Sequence, residues 1–574
     1  MLSKFRLAIL IIIAVSIVSS CGNKQPKEAK YIPKDVSAVF VLDPKNMEDK
    51  LEKAGISVDT LINRMMKKDP TDTGLKKIFY SIKDSAGINW SNQLFLFATQ
   101  KSGAKNGNAS AINLMLSLKE KKSFETFIKQ HESTSGKTIQ KEKKYSYVVL
   151  SAETMLAWNE ETVIGTMYNK HVKPYYDTVA MKFIVPEKGK YEAEMRAEVN
   201  TYFTQKEEAS LASVDQFGKL FKDKADGYTF SSTNSYLNVL SAMPLQLPKL
   251  EELVKDNYLG ATLSFEEGKI VATATTYTNP FVSNLLNRYA GPTVNLSMIE
   301  HYPSENINMI LLASFNPEIF AGVLKELEVE GLVNSFMEKT GFSSKELYQS
   351  LKGDIAVIVS DLSMPEKNSK VKNDSTIRGE HQPIGKMIFS APVGNPTSFI
   401  KIMDKGVELG YFNKQGNTYK AGKLMSFMGM YMQADEKNLI IASDSITYTQ
   451  YVSNKNRAMV SNEALNLFKG KSTVAYFDIA NTIKNFLNNH EGDYKNSIGS
   501  AKQVFKDMIA STENYKDGAI NGKIEVRLKD EKQNSLVTLT GLFTDMATDM
   551  RIAQRKESEQ TMFPSGVPAI IRTN

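Results

Sequence analysis

The side chains that could do chemistry in this 574-residue chain are few, and their spacing is uninformative for most reactions. There is one cysteine, Cys21, and there are five histidines, His131, His171, His301, His381 and His490. None of the histidines lies at metal-ligand spacing from another or from the cysteine, so no zinc pattern exists. No Gly-x-Ser-x-Gly nucleophile turn occurs. Gly470-Lys471-Ser472 imitates the end of a phosphate loop, but Leu465 stands where the first glycine belongs. The triplet also leads toward a strand, whereas a phosphate loop opens a helix so that its N–H groups meet the anion. The acid pairs Glu160-Glu161 and Glu266-Glu267 fall in predicted hairpin turns, where charge is solvated cheaply. The one unusual run is Met425, Met428, Met430 and Met432. Period-two spacing from Met428 to Met432 puts three thioethers on one face of a strand. Such a face could hold Cu(I), a soft ion that prefers sulfur, or could fill a core, since the chain has 25 methionines.

The lone cysteine carries the strongest signal. Lys4 and Arg6 precede twelve nearly uninterrupted apolar positions from Leu7 to Val18, and Val18-Ser19-Ser20-Cys21 closes the run. A helical span needs about twenty apolar residues, so the segment is too short to stay as an anchor. It reads as a lipoprotein signal peptide over 1–20, with the Cys21 thiol taking the diacylglycerol and palmitate anchor. Residues 21–30 are polar and read as a lipidated flexible tether. Gly22 is not the aspartate associated with inner-membrane retention, and the run after it is not acidic. The expected location is the outer membrane, on the periplasm-facing side rather than the cell surface.

The body that must hold these residues has an ordinary folded composition: 42% hydrophobic and 24% charged. The formal charge of +7 falls to +5 once Lys4 and Arg6 leave with the signal, too diffuse for nucleic acid. With its only thiol lipidated, the mature body has no internal disulfide and must be held by packing. Nothing in the sequence implies a cofactor.

The length exceeds what one core usually fills. The pattern predicts a strand Val36 to Leu42, a helix after Asp43-Pro44, and a hairpin of Leu94 to Ala98 and Ile112 to Leu118 across a polar loop Gln100 to Ser110. Next come a helix near Ser123 to His131, strands near Tyr145 to Leu150 and Met155 to Trp158, and a turn at Asn159 into Thr162 to Met167. Phe221, Phe230, Asn234 and Leu240 recur 247 positions later as Phe468, Phe477, Asn481 and Leu487. Other segments correspond in the same order: Ser123-Phe124 with Ser398-Phe399, Ala157 to Gly165 with Ala434 to Ala442, and a closing hairpin with Gly522 to Leu528 and Leu536 to Phe543. This predicts an internal duplication. The fold class is α+β: two tandem, topologically similar domains with mainly antiparallel sheets and packed helices. The first would cover 31–280, a linker 281–302, and the second 303–574 with a C-terminal helix.

The lipobox at Cys21, the Tyr31-Ile32-Pro33-Lys34-Asp35 lead into an alternating strand, and the duplicated body resemble a family of large Bacteroidetes lipoproteins classed as a domain of unknown function. That resemblance implies no catalytic residues. The expected function is a membrane-anchored envelope lipoprotein, a non-enzymatic binding or scaffolding module for another envelope protein or glycan. Two alternatives stand beside it: an envelope hydrolase of glycan or peptidoglycan with an unrecognised site, and a Met-rich copper-binding protein.

Overall fold

The structure is a computed structural model that describes residues 25–57, 59–61, 63, 80–103, 107–130, 136–171, 175–177, 181–184, 189, 191–237, 240, 247, 249–300, 302–363, 384–423, 430–453, 462–487 and 501–543. Cys21, Met425, Met428, His131, His301, His381 and His490 lie outside these residues. The chain folds as two compact units. The first draws on Met1–Asn46, Tyr80–Met243 and Asp256–Thr262, and the second on Met47–Phe79, Pro244–Lys255 and Leu263–Asn574.

The strands, in chain order, are β1 Ala38–Leu42, β2 Leu94–Gly103, β3 Gly107–Ser117, β4 Gln140–Lys141, β5 Ser146–Ser151, β6 Thr154–Trp158, β7 Thr162–His171, β8 Tyr175–Asp177, β9 Lys182–Ile184, β10 Gly227–Ser232, β11 Tyr258–Glu266 and β12 Lys269–Tyr277. They continue with β13 Ile307–Ser314, β14 Asp354–Ser363, β15 Ile384–Pro392, β16 Phe412–Gln415, β17 Thr418–Ala421, β18 Tyr431–Ala434, β19 Asn438–Ala442, β20 Thr473–Phe477, β21 Phe505–Thr512 and β22 Ala519–Leu528. Every ladder described is antiparallel, which bears out the α+β class.

In the first unit the ladders run β10-β1-β2-β3-β7-β6-β5-β4. Alternation along these strands sends Val39, Val41, Phe95, Phe97, Met115 and Ile164 to one face, where they are buried. The helix Glu192–Thr204 supplies Met195, Val199 and Tyr202 to the same core. On the other face the helix Lys121–Gln130 inserts Phe124 and Ile128 against Val148, Trp158 and Val163. Phe124 and Trp158 meet edge to face with ring centroids 5.3 Å apart.

The second unit runs β12-β22-β21-β20-β13-β14-β15-β19-β18-β17-β16. Ile310, Leu312, Ile358, Ile388 and Val474 form its main core. Phe399 and Met403 of the helix Pro396–Glu408 build a second one with Tyr419, Met432 and Ala434.

The Asx-Pro pairs work as helix starts. Asn279 and Asn395 accept from the N–H groups of Val282 and Ser398, with proline at the first helical position, where its missing N–H costs nothing. Asp43 accepts from Asn46 N–H at 2.9 Å ahead of the helix Pro44–Lys53.

Four features differ from the sequence reading. The stretch read as a flexible tether over 21–30 is ordered from Gln25 on. Lys27–Tyr31 is a 3-10 turn with Glu28, Ala29 and Tyr31 buried, because Ala29 within the polar run and Tyr31 just after it find the first core. The polar loop of the first hairpin is mostly strand, since pairing continues from Thr99↔Ala111 out to Gly103↔Gly107. Residues 535–543 are helical, not a strand, and Leu536 and Val537 pack with Leu51 and Ile56. The hairpin before them is β21 with β22. Lastly β12, assigned from sequence to a first domain ending at 280, pairs with β22 of the second unit over nine positions.

Candidate binding surface

Among the described residues, the candidates for chemistry mostly serve ion pairs and packing. Glu160 pairs with Lys121 at 2.6 Å and Glu161 with Lys30 at 3.1 Å, both at the surface turn between β6 and β7. The hydrogen bond from Lys30 holds the Glu161 carboxyl below its ordinary range. Glu266 meets Lys269 across the β11-β12 turn at 3.5 Å. Gly470 takes φ 73° after the helix Asn462–Phe468 and the chain enters β20, so Lys471 serves an ion pair with Glu513 at 2.8 Å. His171 ends β7 opposite Asn108.

Of the methionine run, Met432 is 2% exposed and packs among Phe399, Met403, Tyr419 and Ala434. Met430 is half-buried. Met432 therefore gives its thioether to a core.

A polar cluster that the sequence did not signal lies inside the first unit. Thr166 Oγ1 donates to Asn113 Oδ1 at 2.8 Å, Asn113 Nδ2 donates to Tyr202 Oη at 3.2 Å, and Tyr202 donates to Glu198 at 3.1 Å. All four residues are buried. Burial, with the Glu198 carboxylate beside it, drives the Tyr202 phenol far above its usual range. The groups satisfy one another, so the cluster fixes the docking of the helix on the sheet. A cleft of about 260 Å³ in the second unit is lined by Tyr289, Phe315, Asn316, Thr512 and Glu513. Its one charged partner pair is Glu513 with Lys471, which is already neutralised.

The most unusual surface is the outward face of β2, β3 and β7. Leu96, Leu114, Ile112 and Met167 are 43%, 41%, 45% and 50% exposed. They are neighbours by register: Leu96 is opposite Leu114, Ala98 opposite Ile112, and Ile112 opposite Met167. Gly165 lies opposite Leu114, and the Leu156 side chain packs over it from β6. Sheet faces turned to water normally alternate to polar side chains; here the alternation is apolar on both sides. A contiguous apolar patch rimmed by polar residues marks a place where another molecule is held. The signal was present in the sequence as an unbroken apolar Leu94 to Ala98 and an Ala111 to Leu116 interrupted only by Asn113, which reads equally as a strand buried on both faces.

The chain has two antiparallel α+β units and an exposed apolar sheet face. It belongs to the family described as Domain of unknown function (DUF4836), which matches residues 29–536. This bears out the unknown-function class that the sequence resembled. No curated protein matches the chain. Two solved structures show slight likeness. Crystal form IV of TP0453 is 11% identical, covering 45% of this chain and 83% of its own, with a TM-score of 0.22. Crystal form I of TP0453 is 12% identical, covering 53% and 99%, with a TM-score of 0.19. Likeness at this level carries no argument. No helix among the described residues is long and apolar enough to cross a membrane.

Proposed function

We propose that the chain is an outer-membrane lipoprotein, anchored through a diacylglycerol on Cys21 and facing the periplasm. In this reading it is a non-enzymatic module that binds another envelope protein through the open face of β2, β3 and β7. The observation that carries it is the register-adjacent exposure of Leu96, Ile112, Leu114 and Met167. A glycan would need converging hydrogen-bonding groups, and this face offers hydrocarbon, so a protein surface is the better complement. The anchor rests on the arrangement from Lys4 to Cys21.

The two units are further proposed to be an internal duplication. The order β10-β1-β2-β3-β7-β6-β5-β4 has its counterpart, strand for strand, in β20-β13-β14-β15-β19-β18-β17-β16. The β6-β7 turn begins at Asn159, whose Oδ1 accepts from the N–H groups of Glu161 and Thr162; the β18-β19 turn begins at Asp435, which accepts from Lys437 and Asn438. The third and fourth strands of each set are followed by a helix with a buried phenylalanine, Phe124 or Phe399. The outward face of the second unit differs at the equivalent places: Val357, Phe389 and Met387 are half-buried. Binding through the open face is thus assigned to the first unit alone.

The test is a photo-crosslinking residue placed at Ile112 or Leu114 in cells. The expected result is one protein adduct that disappears in a Leu96→Lys, Met167→Lys variant. The reading is overturned if neither position gives an adduct while a crosslinker elsewhere on the surface does.

A further inference from the structure

Between β7 and the helix Glu192–Thr204 the chain forms a two-stranded hairpin, with Tyr175 opposite Ile184, Tyr176 opposite Phe183 and Asp177 opposite Lys182. Among the described residues it forms a sheet of its own. Two strands of three residues are marginal in water without a surface to rest on. Instead of turning its large side chains inward, the hairpin exposes them: Tyr176 by 46%, Met181 by 73% and Phe183 by 74%. The rings of Tyr176 and Phe183 meet edge to face at 5.2 Å, and the Tyr176 hydroxyl points to the Met181 sulfur at 3.9 Å. Met181 has φ 49°, a left-handed conformation that favours glycine or asparagine and costs a methionine. Lys182 beside it is exposed, and residues 170–190 hold five lysines, Lys170, Lys173, Lys182, Lys188 and Lys190, against Asp177 and Glu187.

We propose that this hairpin is a second membrane contact, docking on an anionic lipid surface with Phe183, Met181 and Tyr176 at the acyl boundary and Lys182 on the phosphates. Tyrosine fits that depth because its ring is apolar and its hydroxyl stays in the headgroup layer. Excess positive charge is the complement of anionic phosphate. A protein partner fits the hairpin less well. The three side chains offer on the order of 400 Å², half of the roughly 800 Å² that one side of a stable protein interface buries. A lipid surface requires neither that area nor shape complementarity. The contact is independent of the anchor at Cys21 and of the open face of β2, β3 and β7.

The test is flotation of the chain from residue 22 onward, which keeps every described residue, with vesicles of phosphatidylethanolamine and phosphatidylglycerol or of phosphatidylcholine alone. The chain should float with the anionic vesicles, and removing one lysine (Lys182→Ala) should weaken the partition about fivefold at low salt. A Met181→Asp, Phe183→Asp variant should lose at least about tenfold in partition, with an unchanged melting curve because the side chains touch no core. Phe183→Trp should keep binding and shift its emission to the blue on anionic vesicles only. The proposal is overturned if the double aspartate variant floats as the parent does, if the parent ignores anionic vesicles, or if a crosslinker at position 183 labels a protein and no lipid.

Discussion

Arg527 lies across the β21-β22 ladder from Asp507 and donates to its carboxylate through Nε at 2.6 Å and Nη2 at 2.7 Å. The side chains are only 11% and 5% exposed. Two ladder positions on, Glu525 accepts from Lys523 at 2.6 Å with Lys269 at 3.6 Å. Burial resists ionisation of Glu525, but the two ammonium groups outweigh it and hold its carboxyl below the ordinary range. On this side of β12, β21 and β22 the inward face passes from the hydrocarbon of Ile509 to paired charge. Burial pushes the nearby Asp478 carboxyl and Tyr476 phenol up, with Asp507 adding to both.

Breaking the buried pair takes the Asp507 carboxylate away from a buried guanidinium. Asp507→Asn should therefore destabilise the second unit by about 3 kcal/mol or more, while Asp507→Leu combined with Arg527→Met should recover most of that loss. Urea unfolding of the three chains checks both parts. Equal stability of the single variant and the parent would show the pair to be solvated.

Asp444 starts the helix Ser445–Val452 by accepting from Thr447 N–H and Oγ1, both at 2.7 Å, and from Ser443 Oγ at 2.8 Å. Burial raises its carboxyl, but these donors outweigh burial and leave it below the ordinary aspartate value. A carboxylate lowered by folding stabilises the fold when ionised. Its contribution is complete above the unfolded value and is lost as pH falls through the folded one. Asp444→Asn keeps an accepting oxygen for the cap and removes the titration. Its stability should fall less steeply than the parent's below about pH 4. Denaturation midpoints across that range decide it.

The positions of strands and helices along the chain were legible because alternation and Asx-Pro helix starts are local signals. Register was not. The identity of Phe230 with Phe477 suggests an offset of 247. In the structure, however, Phe230 is buried in the first core, and the residue of β20 that faces inward at the matching place is Tyr476, which packs on the second core. Ser232 and Asp478, which cap the helical turn after each strand, also lie 246 apart. Because side chains alternate along a strand, a slip of one puts every residue on the other face, and matching letters cannot reveal it. The same slip separates Ala157 from Ala434: the turns place Ala434 with Trp158. The open face was illegible for a related reason. A strand apolar on both sides reads as buried, and only the absence of a covering element over Ile112 and Met167 among the described residues distinguishes a surface from a core.

Met432 tests whether the methionine strand is core or ligand. Met432→Leu conserves volume and should cost under about 1.5 kcal/mol, and Met432→Ala should cost about 2–5 kcal/mol by opening a cavity beside Phe399 and Tyr419. Competition with a chromogenic Cu(I) chelator should give the same copper uptake for the Met432→Leu variant as for the parent. A marked loss of uptake in a well-folded leucine variant would restore the copper reading.

If the two units descend from one, Phe124 and Phe399 hold equivalent posts, each 3–4% exposed beneath the first helix after a strand pair. Phe124→Ala and Phe399→Ala should each cost about 3–5 kcal/mol. The two can be told apart because the chain's only tryptophans, Trp90 and Trp158, both belong to the first unit. Trp158 is fully buried, donates its indole N–H to Glu125 at 3.2 Å and packs on the Phe124 ring. Phe124→Ala should move the tryptophan unfolding transition to lower denaturant. Phe399→Ala should leave that transition in place and lower only the one followed by far-ultraviolet circular dichroism. A tryptophan transition that moves equally in both variants would mean that the units unfold as one, and that a loss in either core is felt by the whole chain.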